Sequence, residues 1–353
     1  MSCFRAKADE VCHGSMTYVR AFEHTSRLLE NNPMGDPHVR RVHVYLPPDY
    51  SDRRREPYPV VFMLAGWGGR GGRYLDDPGS FGVPLPERLD DMIRACELPP
   101  CIVVFPDGST RLGASQYVNS PANGPYMDYL CDELVDWVDE RFHTHKSRDF
   151  RGVMGHSSGG FGALAAGMLR SDRFGAVTSS AGDCWYEFLY THTIPQTIEA
   201  IQAAGGVHPF VESFLACPNP MGLLGSRAIV AMLNLSMASC FTPNLEVPLL
   251  RGDLWFDLET GELLDEPWNR LLAWDPLRMI DRHVAELRSL RFLHLEAGRE
   301  DEYGLCLGHR QLAKKLERYG IRHEINEYPG RHSGHHHRMP SRLQRMVRHL
   351  TET

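Results

Sequence analysis

A chain of 353 residues, 42% of them hydrophobic, can bury a substantial core as one large α/β domain or two small ones, which excludes a disordered or fibrous class. A net charge of -7 leaves no basic footprint, so neither nucleic acid nor an anionic membrane is an expected partner. Residues 1–32 mix Arg5, Lys7, Asp9, Glu10 and His13 without an apolar h-region, and no apolar run is long enough to span a bilayer, so a soluble, cytoplasmic chain is expected.

Residues 1–35 carry no sustained period and read as an N-terminal arm laid on the domain. From His38 the alternation up to Pro47-Pro48 suits an edge strand with one solvated face. Residues 58–65 are continuously apolar, as a central strand covered on both faces requires. They run into Gly66-Trp67-Gly68-Gly69-Arg70-Gly71-Gly72, formally a Gly-x-Gly-x-x-Gly. A dinucleotide fingerprint needs a helix at once, whereas Asp77-Pro78-Gly79 and Pro84-Leu85-Pro86 follow, and no Gly-Lys-Ser/Thr supports a Walker loop. The better reading is a loop that brings main-chain N–H groups to an oxyanion, with Trp67 donating and Gly66 letting substrate approach. A plain surface loop is the rival, and a tryptophan is an odd choice for one.

A helix is expected over residues 90–96 and a buried strand over 101–106. The loop Gln116-Tyr117-Val118-Asn119-Ser120-Pro121 lies beyond a strand's carboxyl end, so Tyr117 is a candidate pocket residue or, equally, a packed surface tyrosine. Residues 126–142 place Tyr129, Leu130, Leu134, Trp137, Val138 and Phe142 at helical spacing. Of the nine cysteines, scattered without a Cys-x-x-Cys pair, most are expected to be buried thiols, and a Cys96–Cys101 bridge is the weaker reading.

Everything else is arranged around residues 149–164. A short apolar strand passes through Gly155-His156-Ser157-Ser158-Gly159 into a helix of small residues, the context of a nucleophile elbow. Ser157 is the candidate nucleophile. Gly155 and Gly159 stand two before and two after it, where backbones must pass closely, and the helix N-terminus favours a developing negative charge. A chance match in a Gly-rich chain is the rival, weakened by the strand before and the helix after.

A strand over 174–181 continues the alternation, which implies a mostly parallel sheet covered by helices on both faces. The rhythm then breaks. Residues 184–285 hold helix-like runs at 194–204 and 227–237 and a hairpin near 254–261, and are expected as an inserted cap or lid on a core of residues 36–183 and 286–353. Trp185 and Tyr186, at its root, are candidate substrate-binding residues. Asn234-Leu235-Ser236 matches a glycosylation acceptor without a secretory context. The rhythm resumes with strands at 290–296 and 323–328 and helices at 308–319 and 341–350.

A serine hydroxyl needs a base, and the base needs a carboxylate to fix its tautomer. His332, in the loop after the last strand, is the expected base. His335, His336 and His337 could suggest a metal, but consecutive histidines splay apart and no partner has zinc-like spacing, so no metal is expected. Asp301 is the favoured acid over its neighbours Glu300 and Glu302, with Asp183 a reasonable substitute. A carboxylate and then a histidine after the serine is the hydrolase order.

On Val44-Tyr45-Leu46-Pro47-Pro48, Leu64-Ala65-Gly66-Trp67, Gly155-His156-Ser157-Ser158-Gly159-Gly160, Gly298-Arg299-Glu300-Asp301-Glu302 and Gly330-Arg331-His332-Ser333, the chain resembles an esterase family of α/β hydrolases. Esterase D, S-formylglutathione hydrolases, feruloyl esterases and mycolyltransferases belong to it. The resemblance covers about residues 36–350. It implies an α/β-hydrolase fold, a triad of Ser157, Asp301 and His332, and an oxyanion hole from the N–H groups of Trp67 and Ser158. Ala65-Gly66 departs from the family's frequent His-Gly. The expected function is a serine-dependent carboxylic ester hydrolase working through an acyl-enzyme on short-chain or aromatic small-molecule esters, with no cofactor and compatible with a homo-oligomer. An acyltransferase, a peptidase and a non-catalytic ligand-binding protein are the rivals.

Overall fold

Unbroken apolar runs such as Val60–Leu64 have no polar face to offer water, so they pair in the middle of a sheet covered on both sides. The computed structural model describes residues 18–76, 78, 82–334 and 336–352. Its strands are β1 (Tyr18–Thr25), β2 (Val39–Leu46), β3 (Val60–Leu64), β4 (Ile102–Phe105), β5 (Asn119–Ser120), β6 (Gly124–Pro125), β7 (Arg151–His156), β8 (Ala176–Ser180), β9 (Phe292–Gly298) and β10 (Glu324–Tyr328). Eight of them form one sheet in the order β1-β2-β4-β3-β7-β8-β9-β10, while β5 and β6 pair separately. From β4 to β10 neighbours run parallel, and β1 and β2 close the other side antiparallel.

Alternate residues of β3 feed the two cores, as strand geometry requires. Val60, Phe62 and Leu64 join one apolar cluster, and Val61 and Met63 join the other with Leu343, Met346 and Val347 of the C-terminal helix Met339–Thr351. Burying each such side chain stabilises the fold by ~1.5–3 kcal/mol.

Register decides where chemistry can gather. Leu64 is level with Gly155, His156 with Ser180, Ser180 with Glu296, and Gly298 with Tyr328. The loops that leave these carboxyl ends therefore share one edge of the sheet, and they carry Gly66, Ser157, Asp183, Asp301 and His332.

Residues 184–285 leave that edge as a run of helices, chiefly Ile194–Ala203, Val207–Ala216, Ser226–Phe241 and Asp265–Leu272. Asn234 is fully buried and its amide donates to Thr193 Oγ1 at 3.0 Å and Thr197 Oγ1 at 2.7 Å. The residue that matches a glycosylation acceptor is thus a polar cross-link between two helices. At the root, the buried Asp275 carboxylate accepts N–H bonds from Trp185 at 3.1 Å, Tyr186 at 2.7 Å and Leu277 at 2.9 Å.

Several expectations are corrected. Residues 1–17 lie outside the described residues, and within the expected N-terminal arm Tyr18–Thr25 is the outermost strand, paired along Val39–Leu46, where no strand was expected. The strand after His38 is therefore second from the edge, and its alternation reflects one half-covered face. The helix expected at 90–96 begins at Leu85, because Pro86 can occupy the first turn of a helix. Residues 126–141 are helical but contain a π segment at Tyr129–Leu134. The hairpin near 254–261 reduces to a single antiparallel bridge, Phe256 to Leu263. Cys96 is an exposed and Cys101 a buried free thiol. Among the described residues no helix is long and apolar enough to cross a membrane, and no cluster of His, Cys, Asp and Glu could hold a metal ion. His335 lies outside them.

Candidate active site

Ser157 stands between β7 and the helix Ser158–Leu169 with φ 58° and ψ -128°, a strained backbone for a residue with a side chain. The surroundings enforce it. A Cβ on Gly155 would sit 2.3 Å from the backbone of Gly159, and one on Gly159 would sit 2.2 Å from the Leu64 carbonyl oxygen. Ser157 N–H donates to Ser180 O at 3.0 Å, which ties the turn to β8.

His332 lies in the loop after β10. Its Nδ1 is 2.9 Å from Asp301 Oδ2, and its main-chain N–H donates to Glu302 Oε2 at 3.0 Å. The imidazole is packed against His156 at 4.6 Å and edge-on to Tyr303 at 4.8 Å between ring centroids. Asp301 is held from its own side: Oδ1 accepts the Tyr303 N–H at 2.9 Å, and Glu300 N–H reaches Gly330 O at 2.9 Å. Gly298 lets the two loops touch, because a Cβ there would lie 2.4 Å from Gly330 O. With Nδ1–H given to the carboxylate, Nε2 is left as the proton acceptor.

A cavity of about 250 Å³ contains Ser157, His332, Gly66, Trp67 and Asp183 in its lining. The loop beside the elbow is braced by the Trp67 indole, whose N–H donates to Leu112 O at 3.0 Å, and by Gly68 N–H to Gly113 O at 3.2 Å. Among the described residues the main-chain N–H groups of Trp67 and Ser158 meet no acceptor, the latter because the first residue of a helix has no carbonyl one turn back. Asp183 is a buried carboxylate that burial pushes up to about 6, partly offset by the His332 charge and by Gln116. It does not touch the His332 ring nitrogens, so Asp301 rather than Asp183 meets the imidazole.

Three expected pocket residues lie elsewhere. Tyr117 is buried in the core, where its hydroxyl donates to Ala65 O at 3.0 Å and its ring fills the space above Gly162. Tyr186 is fully buried against Phe161, Tyr190 and Phe241, and Trp185 stacks on Phe188 at 4.7 Å; neither reaches the cavity. Leu189 and Tyr190, one helical turn further on, line it instead, with Thr193, Met221 and Leu233. The sequence pointed to the right segment but not to the face of its short helix. Gln116 was also missed: wholly buried, it donates to Ser158 Oγ at 2.8 Å and to Asp183 Oδ2 at 3.3 Å. Its only sequence signal was its place beside Tyr117.

The family model described as "Putative esterase" matches residues 37–350. "Esterase MT1326" of Mycobacterium tuberculosis (strain CDC 1551 / Oshkosh) is 30% identical over 147 residues, 40% of this chain and 28% of that protein. "Iron(III) enterobactin esterase" of Escherichia coli O6:H1 is 25% identical over 163 residues, 45% of this chain and 40% of that protein. The aligned parts thus span well under half of these relatives. Among solved structures, a ferulic acid esterase superposes with a TM-score of 0.59 at 16% identity, covering 95% of this chain and 98% of its own. S-formylglutathione hydrolase from Staphylococcus aureus does so with 0.57 at 16%, covering 95% and 99%. The fold is that of the α/β hydrolases, and the chain belongs to this esterase family, as its motifs suggested.

Proposed function

We propose that the chain is a serine-dependent carboxylic ester hydrolase. The observation that carries the reading is the Asp301–His332 pair at 2.9 Å opening on the same cavity as a serine held at positive φ on a helix N-terminus. Ser157 Oγ attacks the ester carbonyl while His332 Nε2 takes its proton, and Asp301 stabilises the imidazolium. The N–H groups of Trp67 and Ser158 receive the oxyanion, and loss of one such donor typically costs about 2.7–4 kcal/mol of transition-state stabilisation. As the tetrahedral species collapses, His332 returns the proton to the departing alcohol. Water then repeats the sequence on the acyl-enzyme, with His332 again as base, and releases the acid. No step uses a cofactor.

Residues 184–285 act in this reading as a cap that selects substrate, since Leu189, Tyr190, Thr193, Met221 and Leu233 all come from it. A small, largely apolar cavity suits short-chain esters or the aromatic acyl groups implied by the names of the ferulic acid esterases. Ser157→Ala removes the nucleophile and little volume. It should abolish turnover of 4-nitrophenyl acetate while the urea-unfolding midpoint stays at the parent's value. Activity comparable to the parent would reject the mechanism.

A further inference from the structure

Asp183 has no task in the chemistry above, yet it is the buried anion of the cavity. Three residues beyond β8, it is 8% exposed and lies in the wall beside Ser157. Its hydrogen-bond partners are neutral: the Gln116 amide, 3.3 Å from Oδ2, and the Ser158 hydroxyl. Among the described residues no lysine or arginine is paired with it. The largest electrostatic offset to its burial comes from His332, which is neutral whenever it serves as a base. Tyr190 brings a second polar group into the same lining, a buried hydroxyl with no hydrogen-bond partner among the described residues. Leu189, Ile229, Leu233 and Leu305 make the surrounding wall apolar. Of the other basic side chains of the lining, Arg73 and His336 are exposed, and His156 is half-buried with its ring packed on His332.

A carboxylate taken out of water is costly until it meets a positive charge and further hydrogen bonds, and an apolar wall strengthens the attraction once it does. At pH 8 the group is ionised even with its titration raised to about 6. The distance from the chemistry is short, because Ser158, which neighbours the carboxylate, directly follows the nucleophile.

We propose that Asp183 is a specificity-determining residue that receives an ammonium group on the substrate, so that the preferred substrate is an ester of a short amino acid or amino alcohol. The Tyr190 hydroxyl oxygen accepts a further N–H where the ammonium has one. Gln116, donating to both Ser158 Oγ and Asp183 Oδ2, fixes the carboxylate's orientation and is a positioning residue. The inference rests on the ester-hydrolase reading for its chemistry but not for its binding preference.

Two near-isosteric pairs test it at pH 8: ethyl 3-aminopropanoate against ethyl butanoate for an ammonium on the acyl side, and acetylcholine against 3,3-dimethylbutyl acetate for one on the alcohol side. The cationic member of at least one pair should have a kcat/KM roughly tenfold or more above its neutral partner, equivalent to about 1.4 kcal/mol. Asp183→Asn should bring that ratio to about one. Calorimetric binding of the same pairs to Ser157→Ala, with Asp183 intact, should show the same preference without turnover. Ratios near one in both pairs, or a preference that survives Asp183→Asn, would overturn the inference. So would an equal loss on both members of a pair with a displaced pH profile, which would mean that Asp183 acts through His332. If no ester, 4-nitrophenyl acetate included, is turned over, it is the hydrolase reading that has failed, and binding to Ser157→Ala still decides the charge preference.

Discussion

Asp301 and His332 sit on loops that leave two adjacent parallel strands, and the carboxylate that meets Nδ1 at 2.9 Å is wholly buried. Replacing it by an amide keeps the shape and an oxygen for the Tyr303 N–H but allows the wrong imidazole tautomer. Asp301→Asn should lower kcat on 4-nitrophenyl acetate by about 10⁴-fold with an unchanged urea midpoint. A loss of less than tenfold would mean that another group orients His332.

Glu296 lies beneath the site, 3% exposed, with Arg342 Nη2 at 2.7 Å and Arg338 Nε at 2.7 Å. Burial alone would raise its titration, but the two guanidinium groups hold it down to about 2, against an ordinary 4.5. The stability it confers is therefore complete above the ordinary value and is lost as pH falls toward about 2. Glu296→Gln leaves the 1%-exposed Arg342 uncompensated, and should cost about 3–5 kcal/mol at neutral pH. Asp183 and Asp275, both raised by burial to about 6, act with the opposite sign. Their charged forms weaken the fold above that value, and the penalty is relieved on acidification toward the ordinary 3.8. Urea midpoints from pH 8 to pH 3 should rise and then fall in the parent, and the fall should be much weaker in Glu296→Gln.

The elbow depends on a missing side chain. A Cβ on Gly155 meets backbone at 2.3 Å, which cannot swing aside as a side chain could. Gly155→Ala should give protein that is insoluble, or folded with a lowered melting temperature and no esterase activity. Gly225, with nothing among the described residues within 4 Å of its Cβ position, is the control, and Gly225→Ala should cost no more than about 1 kcal/mol.

Position on the inserted helices separates stability from selectivity. Trp185 stacks on Phe188 outside the cavity, so Trp185→Ala should lower stability, by less than the about 3–5 kcal/mol of a fully buried tryptophan, and leave ester ratios unchanged. Leu233→Ala removes cavity wall and should move the butyrate-to-acetate ratio of kcat/KM upward, by up to roughly 10–200-fold per accommodated methylene. The reverse ranking of the two variants would reject the inserted segment as the substrate wall.

The sequence carried the sheet core and the reactive loops because both are written in short-range chemistry. Unbroken apolar strands have one place to go, and the glycines around Ser157 and beside Asp301 have steric reasons visible two or three residues away. What escaped notice depends on long-range packing. The outer strand Tyr18–Thr25 is recognisable only through its pairing with Val39–Leu46. The choice of Tyr190 over Trp185 as cavity wall follows from the turn Asp275 imposes on residues 185 and 186 from about ninety positions away. Gln116 gains its meaning only from Ser158 and Asp183, which the fold brings to it.

A serine activated by His332 reacts with electrophiles that ordinary serines leave untouched, and Ser157 should behave as such a nucleophile. Incubation with a fluorophosphonate probe followed by peptide mass spectrometry reads this directly. One phosphonyl adduct is expected, on the peptide containing Ser157, absent from Ser157→Ala and strongly slowed in Asp301→Asn. An unlabelled Ser157 in folded protein, or a label carried equally by Ser157→Ala, would contradict it.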